Sequence, residues 1–151
     1  MIKIICDGKI KEKYLKDAID EYKKRISKYT KIEIIELSDI GNLSKKETIE
    51  KEGNNILKYI KPKDYIITLE IDGRKMDSVT FSKHIDSTLI NNPNIVFIIG
   101  GSFGISDEVK LKSNFKLSFS DFTFPHQLFR VILLEQIYRA FRIKNNEEYH
   151  K

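Results

Sequence analysis

Residues 119–141 read FSDFTFPHQLFRVILLEQIYRAF. A polar-aromatic segment carrying Phe119, Phe122 and Phe124 ends at Pro125-His126, and a long helical stretch follows without a break. Apolar residues from Leu128 to Phe141 cover most of that helix's circumference. Such a helix must be buried on more than one side. One face would pack on a sheet, and the excess points to an isologous contact between two copies of the chain. The other solution, complete burial inside one domain, is hard to arrange in 151 residues. The Phe119–Phe124 segment is either a ligand wall, with aromatic faces and backbone groups meeting an adenine ring, or a loop packed into the core. Glu135 and Arg139 form an i, i+4 pair read as structural.

The rest of the chain alternates strand and helix. Runs at Met1–Cys6, Ile32–Leu37, Tyr65–Ile71, Ile95–Ile99 and Lys116–Phe119 predict five strands. Tyr14, Leu15, Ile19, Tyr22, Ile26 and Tyr29 mark the face of a first helix. Ser44 and Glu47 form a capping-box signature for a second helix, in which Gly53 suggests close packing. Asp72-Gly73 reads as a turn. Asp77 or Ser78 caps a third helix, which Asn91-Asn92-Pro93 stops. Ser106, Asp107 and Glu108 open a short fourth. Ile95–Ile99 is apolar throughout, as a central parallel strand covered on both faces must be. The pattern predicts one α/β domain over residues 1–151 with a mainly parallel sheet. Ligands in such sheets bind at the carboxyl ends of strands. The loops after Leu69, Ile99 and Leu117 are the candidates.

Composition narrows the function classes. One cysteine, Cys6, excludes an internal disulfide and a multi-cysteine zinc site. No metal-ligand spacing is legible, and no apolar run is long enough to span a membrane. A cytoplasmic protein is the expectation. The net charge of +5 lies wholly between Lys9 and Lys31, where nine basic residues face four acidic ones. This stretch is either a nucleic-acid footprint or a solvated helix face.

Gly100-Gly101-Ser102-Phe103-Gly104 follows the most apolar strand. Glycine there permits positive φ and close approach of a ligand, but the spacing matches neither the dinucleotide fingerprint nor the phosphate loop. A plain strand-to-helix turn is the alternative. His84 reads as a packing or surface residue, and His126 as structural at the helix start. The chain ends Tyr149-His150-Lys151. These groups suit stacking on a base and neutralising charge beside it, or they are a frayed end.

IIGGSFG at 98–104, the LSFSDFTFPHQLFRVILLEQIYRAF run at 117–141, LEIDGR at 69–74 and the terminal YHK together resemble one family. It is the small SPOUT-class methyltransferase family that modifies pseudouridine at N3 in 23S rRNA of the large ribosomal subunit. The resemblance spans the whole chain. It implies an α/β fold with a deep C-terminal trefoil knot, S-adenosyl-L-methionine as methyl donor, and a homodimer acting on ribosomal RNA in the ribosome. Carried over by motif, the cofactor contacts are Leu69, Gly100, Phe119, Ser120, Asp121, Phe122, Thr123 and Phe124. Tyr149, His150 and Arg142 are the candidates for catalysis on the base. Glu148 stands where the family usually has proline. A non-catalytic RNA-binding protein with a degenerate pocket is the rival reading, and a flavodoxin-like nucleotide binder is a second.

Overall fold

The computed structural model describes residues 1–151. Strands and helices alternate as β1 (Ile2–Asp7), α1 (Lys13–Ile26), β2 (Ile32–Leu37), α2 (Lys45–Leu57), β3 (Asp64–Lys75), α3 (Ser78–Asn91), β4 (Asn94–Ile99), α4 (Asp107–Lys112), β5 (Phe115–Ser118) and α5 (His126–Lys144). The strands form one sheet in the order β2-β1-β4-β3-β5, with every neighbouring pair parallel. This is the α/β architecture that the alternating pattern predicts.

Side chains alternate across the pleat. Ile2, Ile4 and Cys6 of β1 and Ile95, Phe97 and Ile99 of β4 face a large core shared with α1, α3 and α5. Ile5, Val96 and Ile98 face a smaller core closed by Ile56 of α2 and Val109 of α4. Both faces of β4 are covered, which accounts for its uninterrupted apolar run. On α1, Leu15, Ile19 and Ile26 are buried. Tyr14, expected on the same face, is 69% exposed, because it sits about 100° around the helix from Leu15.

The expected caps form. The Ser44 side chain accepts from the Glu47 N–H at 3.2 Å, Asp77 from the Thr80 N–H at 2.7 Å, and Ser106 from the Val109 N–H at 3.3 Å. A Cβ at Gly53 would collide with the Ser106 side chain, so this glycine is where α2 and the α4 cap touch. β3 departs from expectation. It runs through Asp72-Gly73, where the sequence reads as a turn. Its pairing with β5 shifts between Leu69 and Arg74, a bulge. A Cβ at Gly73 would stand 2.8 Å from the Lys116 backbone. The glycine marks the close approach of β5 rather than a chain reversal.

α5 lies between α1 and α3. It buries Leu133, Leu134, Ile137, Tyr138 and Phe141 within the single chain. Two flanking helices and the sheet together satisfy most of its apolar surface, an arrangement the sequence alone makes look difficult. Its first half leaves apolar area open, with Leu128 exposed and Val131 and Ile132 half-buried.

α5 also buries a charge. Arg130 is 1% exposed. Its guanidinium donates to the Asp7 carbonyl at 2.6 Å, the Gly8 carbonyl at 2.8 Å and Glu36 Oε2 at 3.0 Å. Glu36 Oε2 accepts a further bond from the Ile10 N–H at 2.7 Å. One side chain thus ties the ends of β1 and β2 to α5. Arg130→Ala strands these acceptors and should cost about 3–5 kcal/mol. Urea unfolding would show it as a lower midpoint at unchanged slope; an unchanged midpoint would remove Arg130 from this role.

Candidate functional site

The carboxyl ends of β3, β4 and β5 open into a cavity of about 430 Å³, within the size range of small-molecule sites. β3 brings Leu69 to its wall and β4 brings Gly100. The segment after β5 supplies Phe119, Ser120, Phe122, Thr123 and Phe124. The three loops singled out from sequence therefore meet at one place. Asp121 is the exception: its carboxylate points outward and pairs with Lys75.

Local geometry explains the glycines. A Cβ at Gly100 would lie 2.7 Å from Ile105 Cγ1 and 2.9 Å from the Gly104 backbone. Gly104 has φ +89, a conformation open to glycine, and its N–H closes the loop on the Gly101 carbonyl at 3.1 Å. The aromatics divide by role. Phe119 packs edge-on against Phe81 at 6.2 Å and Phe129 at 5.0 Å, and Phe124 lies 5.9 Å from Phe129. These rings are framework. Phe122 is 80% exposed and free to meet a ligand.

Three charged groups on the wall escape the sequence reading: Glu70, Asp72 and Lys110. Lys110 stands 3.6 Å from Glu70, which also accepts from the Thr68 hydroxyl at 2.6 Å. Nothing in the sequence separates Lys110 from an ordinary surface lysine, since only the pairing of β3 with β5 brings α4 to the cavity.

The chain end is docked, not frayed. The Tyr149 hydroxyl donates to Glu135 Oε1 at 3.0 Å, its ring lies edge-on to Tyr138 at 4.9 Å, and the Arg139 guanidinium covers it at 4.7 Å. Arg139 also meets His150 Nδ1 at 3.1 Å. Arg142 pairs with Glu147 and donates to the Glu148 carbonyl at 3.0 Å. Glu148 contributes its backbone, so this contact does not require proline there. Burial, then the hydrogen bond to Glu135, push the Tyr149 phenol up to about 12, keeping it a neutral donor. Tyr149, His150 and Arg142 do not line the 430 Å³ cavity. His150 borders a neighbouring one of about 380 Å³, with Ile132 and Gln136, and Leu117, Ser118 and Phe119 are common to both.

The other histidines are placed by packing. His84 lies 4.5 Å from the Phe115 ring, and burial lowers its pKa. His126 Nε2 is 3.3 Å from Ser102 Oγ at the start of α5. No group of three or more His, Cys, Asp or Glu side chains is arranged to hold a metal ion. No helix is long and apolar enough to cross a membrane.

A second cavity lies at the ends of β1 and β4, with Asp7 and Glu52 in its wall. The hydrophobic pattern of α2 suggests Ile49 as an inward residue, yet the buried face is Thr48, Glu52, Gly53 and Ile56. Burial pushes Asp7 up to about 6, opposed by Arg130 and reinforced by Asp39. Burial, then the charges of Asp7 and Asp39, push Glu52 up to about 7. Both folded pKa values lie above the ordinary carboxyl range, so the folded state binds extra protons between about pH 4 and 7 and stability falls as pH rises through that window. Asp7→Asn and Glu52→Gln should each recover on the order of 1 kcal/mol above pH 7, discounted for solvent in the cavity. Melting curves across the window check this; a wild-type midpoint that did not fall would contradict it.

Residues 1–150 match the family model described as predicted SPOUT methyltransferase. Ribosomal RNA large subunit methyltransferase H of Clostridium botulinum Alaska E43 is 55% identical over 99% of both chains. The protein of the same name from Clostridium perfringens strain 13 is 54% identical, again over 99% of both. Among solved structures, a probable methylase family protein from Haemophilus influenzae superposes with TM-score 0.55 at 12% identity, covering 96% of this chain and 66% of the other. That likeness speaks to the fold. Taken with the full-length family match, the parallel sheet and its loop-lined cavity place this chain in the SPOUT methyltransferase family.

Proposed function

We propose that the chain is an S-adenosyl-L-methionine-dependent methyltransferase acting on N3 of a pseudouridine in 23S rRNA, on assembled ribosomes in the cytoplasm. The observation that carries this is the meeting of the Leu69, Gly100 and Phe119–Phe124 loops around one cavity, in a chain whose relatives are named large subunit methyltransferases.

The cavity fits the proposed donor. Leu69, Ile99 and Leu117 offer apolar cover for an adenine ring, and Gly100 and Gly101 line the same cavity. Lys110 suits a carboxylate, and Glu70 and Asp72 suit an ammonium or sulfonium charge. When bound, the donor supplies an electrophilic sulfonium methyl, which passes to N3 as the N3 proton leaves. The chain's own residues hold both partners near attack distance and neutralise the charge left on the two flanking carbonyls. We assign Leu69, Gly100 and Phe119–Phe124 to the donor, with Asp121 contributing backbone only. We assign Tyr149, His150 and Arg142 to positioning the base and countering its charge. None of the three lines the donor cavity, and His150 alone borders the neighbouring one, so the tail must leave α5 or the base must bridge to it.

The basic segment supports an RNA-facing role. Lys9, Lys11, Lys16, Lys24, Lys28 and Lys31 are exposed and in no ion pair, whereas Lys13 and Arg25 pair with Asp17 and Glu21. Arg25 also lies 5.6 Å from the Tyr22 and Tyr138 rings, so it belongs to the packing rather than the RNA face. The exposed Leu128 with Val131 and Ile132 supports a homodimer through α5. Family membership supports the trefoil knot expected in the C-terminal part.

Titration calorimetry with S-adenosyl-L-methionine tests the pocket. Wild type should bind, and Gly100→Val should weaken binding at least about tenfold. No binding by wild type would favour the non-catalytic RNA-binding reading. Deleting Tyr149–Lys151 should cut methylation about 100-fold or more with donor affinity retained; full activity in that truncation would remove the tail from the mechanism. Neutralising Lys24 and Lys28 should weaken RNA binding and flatten its salt dependence, and an unchanged salt slope would make those charges mere solvation.

A further inference from the structure

Tyr149 and His150 are held by a chain of hydrogen bonds whose polarity is fixed from one end to the other. The Ser78 hydroxyl, at the start of α3, donates to Gln136 Oε1 at 2.7 Å. The Gln136 amide then donates to Glu135 Oε2 at 2.9 Å. Glu135 Oε1 accepts the Arg139 Nε–H at 3.0 Å and the Tyr149 hydroxyl at 3.0 Å. One terminal nitrogen of Arg139 also donates to Glu135 Oε1. The other lies 3.1 Å from His150 Nδ1.

That last contact decides where the imidazole carries its proton. A guanidinium only donates and is not deprotonated in a protein, so Nδ1 must offer it a lone pair. The ring proton is then on Nε2. A doubly protonated ring would set N–H against N–H and lose the bond. An imidazole in this state has no free lone pair with which to take a proton; it has one N–H to give. Tyr149 is engaged in the same way, with its O–H on Glu135 and its ring under the Arg139 guanidinium at 4.7 Å. Of the two residues the network holds, the one donor left free is the His150 Nε2–H. His150 is exposed and borders the cavity of about 380 Å³, which shares Leu117, Ser118 and Phe119 with the donor cavity.

We propose that Arg139, itself fixed by Glu135, is a positioning residue that locks His150 as an Nε2–H donor to a carbonyl oxygen beside the reacting nitrogen, and that the tail acts while docked on α5. The proposal rests on the methyltransferase reading above. In that reaction the sulfonium methyl bonds to N3, and the carbon–sulfur electron pair stays on sulfur, leaving a neutral thioether. The N3 proton leaves to water. Negative charge collects on the two flanking carbonyl oxygens, and a preset donor meets it there without reorganising. His150 is thus not the group that takes the N3 proton. The nucleobase comes to the tail, rather than the tail to the nucleobase. Glu135 and Arg139, a structural pair by spacing alone, set the state of the group that meets the substrate.

Methyl incorporation into ribosomes by full-length His150→Gln, His150→Phe, Arg139→Leu and the Arg139→Leu/His150→Phe double variant tests this, alongside calorimetry with S-adenosyl-L-methionine. Glutamine keeps an acceptor for Arg139 and an N–H to give, but it cannot act as a base. His150→Gln should lower kcat about tenfold at most, and His150→Phe about 100-fold or more. Arg139→Leu should lower kcat about tenfold, with the ribosome KM and donor affinity within about twofold of wild type. In the His150→Phe background it should cost little more, because Arg139 acts through His150. Equal losses in His150→Gln and His150→Phe would make His150 the base and overturn the proposal. A full further loss from Arg139→Leu in His150→Phe would overturn it too. So would an Arg139→Leu rate at or above wild type, which would mean that the tail acts after leaving α5. If wild type methylates no ribosomal RNA, the function reading fails, and NMR of isotopically labelled histidine rings still decides the lock, with His150→Gln assigning the signal. Nε2–H alone in wild type and both tautomers in Arg139→Leu support it; Nδ1–H in wild type, or the same mixture in both proteins, overturns it.

Discussion

Arg130 reaches from α5 to the Asp7 and Gly8 carbonyls and to Glu36, and the carboxyl edge of the sheet is organised around that contact. A guanidinium this deeply buried is tolerated only when its donors are met. Here the terminal N–H groups are met by the ends of β1 and β2, which are thereby fixed against the first turns of α5, while Nε is buried without a partner. The same helix start carries His126 and Phe129, which line the 430 Å³ cavity. Because Arg130 is used on backbone and on Glu36, the Asp7 carboxyl is left without a partner. One interaction thus builds the floor of one cavity, anchors a wall of the other, and leaves an open acceptor between them.

That arrangement costs stability near neutral pH, since Asp7 and Glu52 are pushed up to about 6 and about 7 where ordinary carboxyls would be fully charged. A fold free of other demands would replace them with apolar or amide side chains. The tail shows a different economy. Glu135 and Arg139, a helix pair by spacing, hold Tyr149 and His150 against α5.

Much of this was legible in the residues. The period-2 and continuous apolar runs located the strands, because both faces of a parallel sheet had to be covered. Ser44, Asp77 and Ser106 marked helix starts through their capping chemistry. The three site loops were legible as candidates from their place after parallel strands, with a plain turn and a core-packed loop as the open alternatives, and the family resemblance singled out their residues. What escaped depends on contacts distant in sequence. Asp72-Gly73 has turn chemistry, but the approach of β5 turns it into a bulge. Glu52 looks like a surface residue of a polar helix until Gly53, packed on Ser106, rotates that face inward. Tyr149 reads as a free end because its partners Glu135 and Arg139 lie a helix turn or more upstream. Asp121 belongs to the site loop by position, but its side chain is drawn to Lys75 on β3.

The central claim is that these loops serve methyl transfer to one ring nitrogen of a ribosomal base. The direct measurement is to incubate the protein with ribosomes lacking the modification and S-adenosyl-L-methionine carrying an isotopically labelled methyl. The 23S rRNA is then digested and the labelled nucleotide located by mass spectrometry. The account expects a single labelled methyl on the ring of a pseudouridine, at N3. Label on a ribose, on an unmodified uridine, or on no nucleotide at all would contradict it.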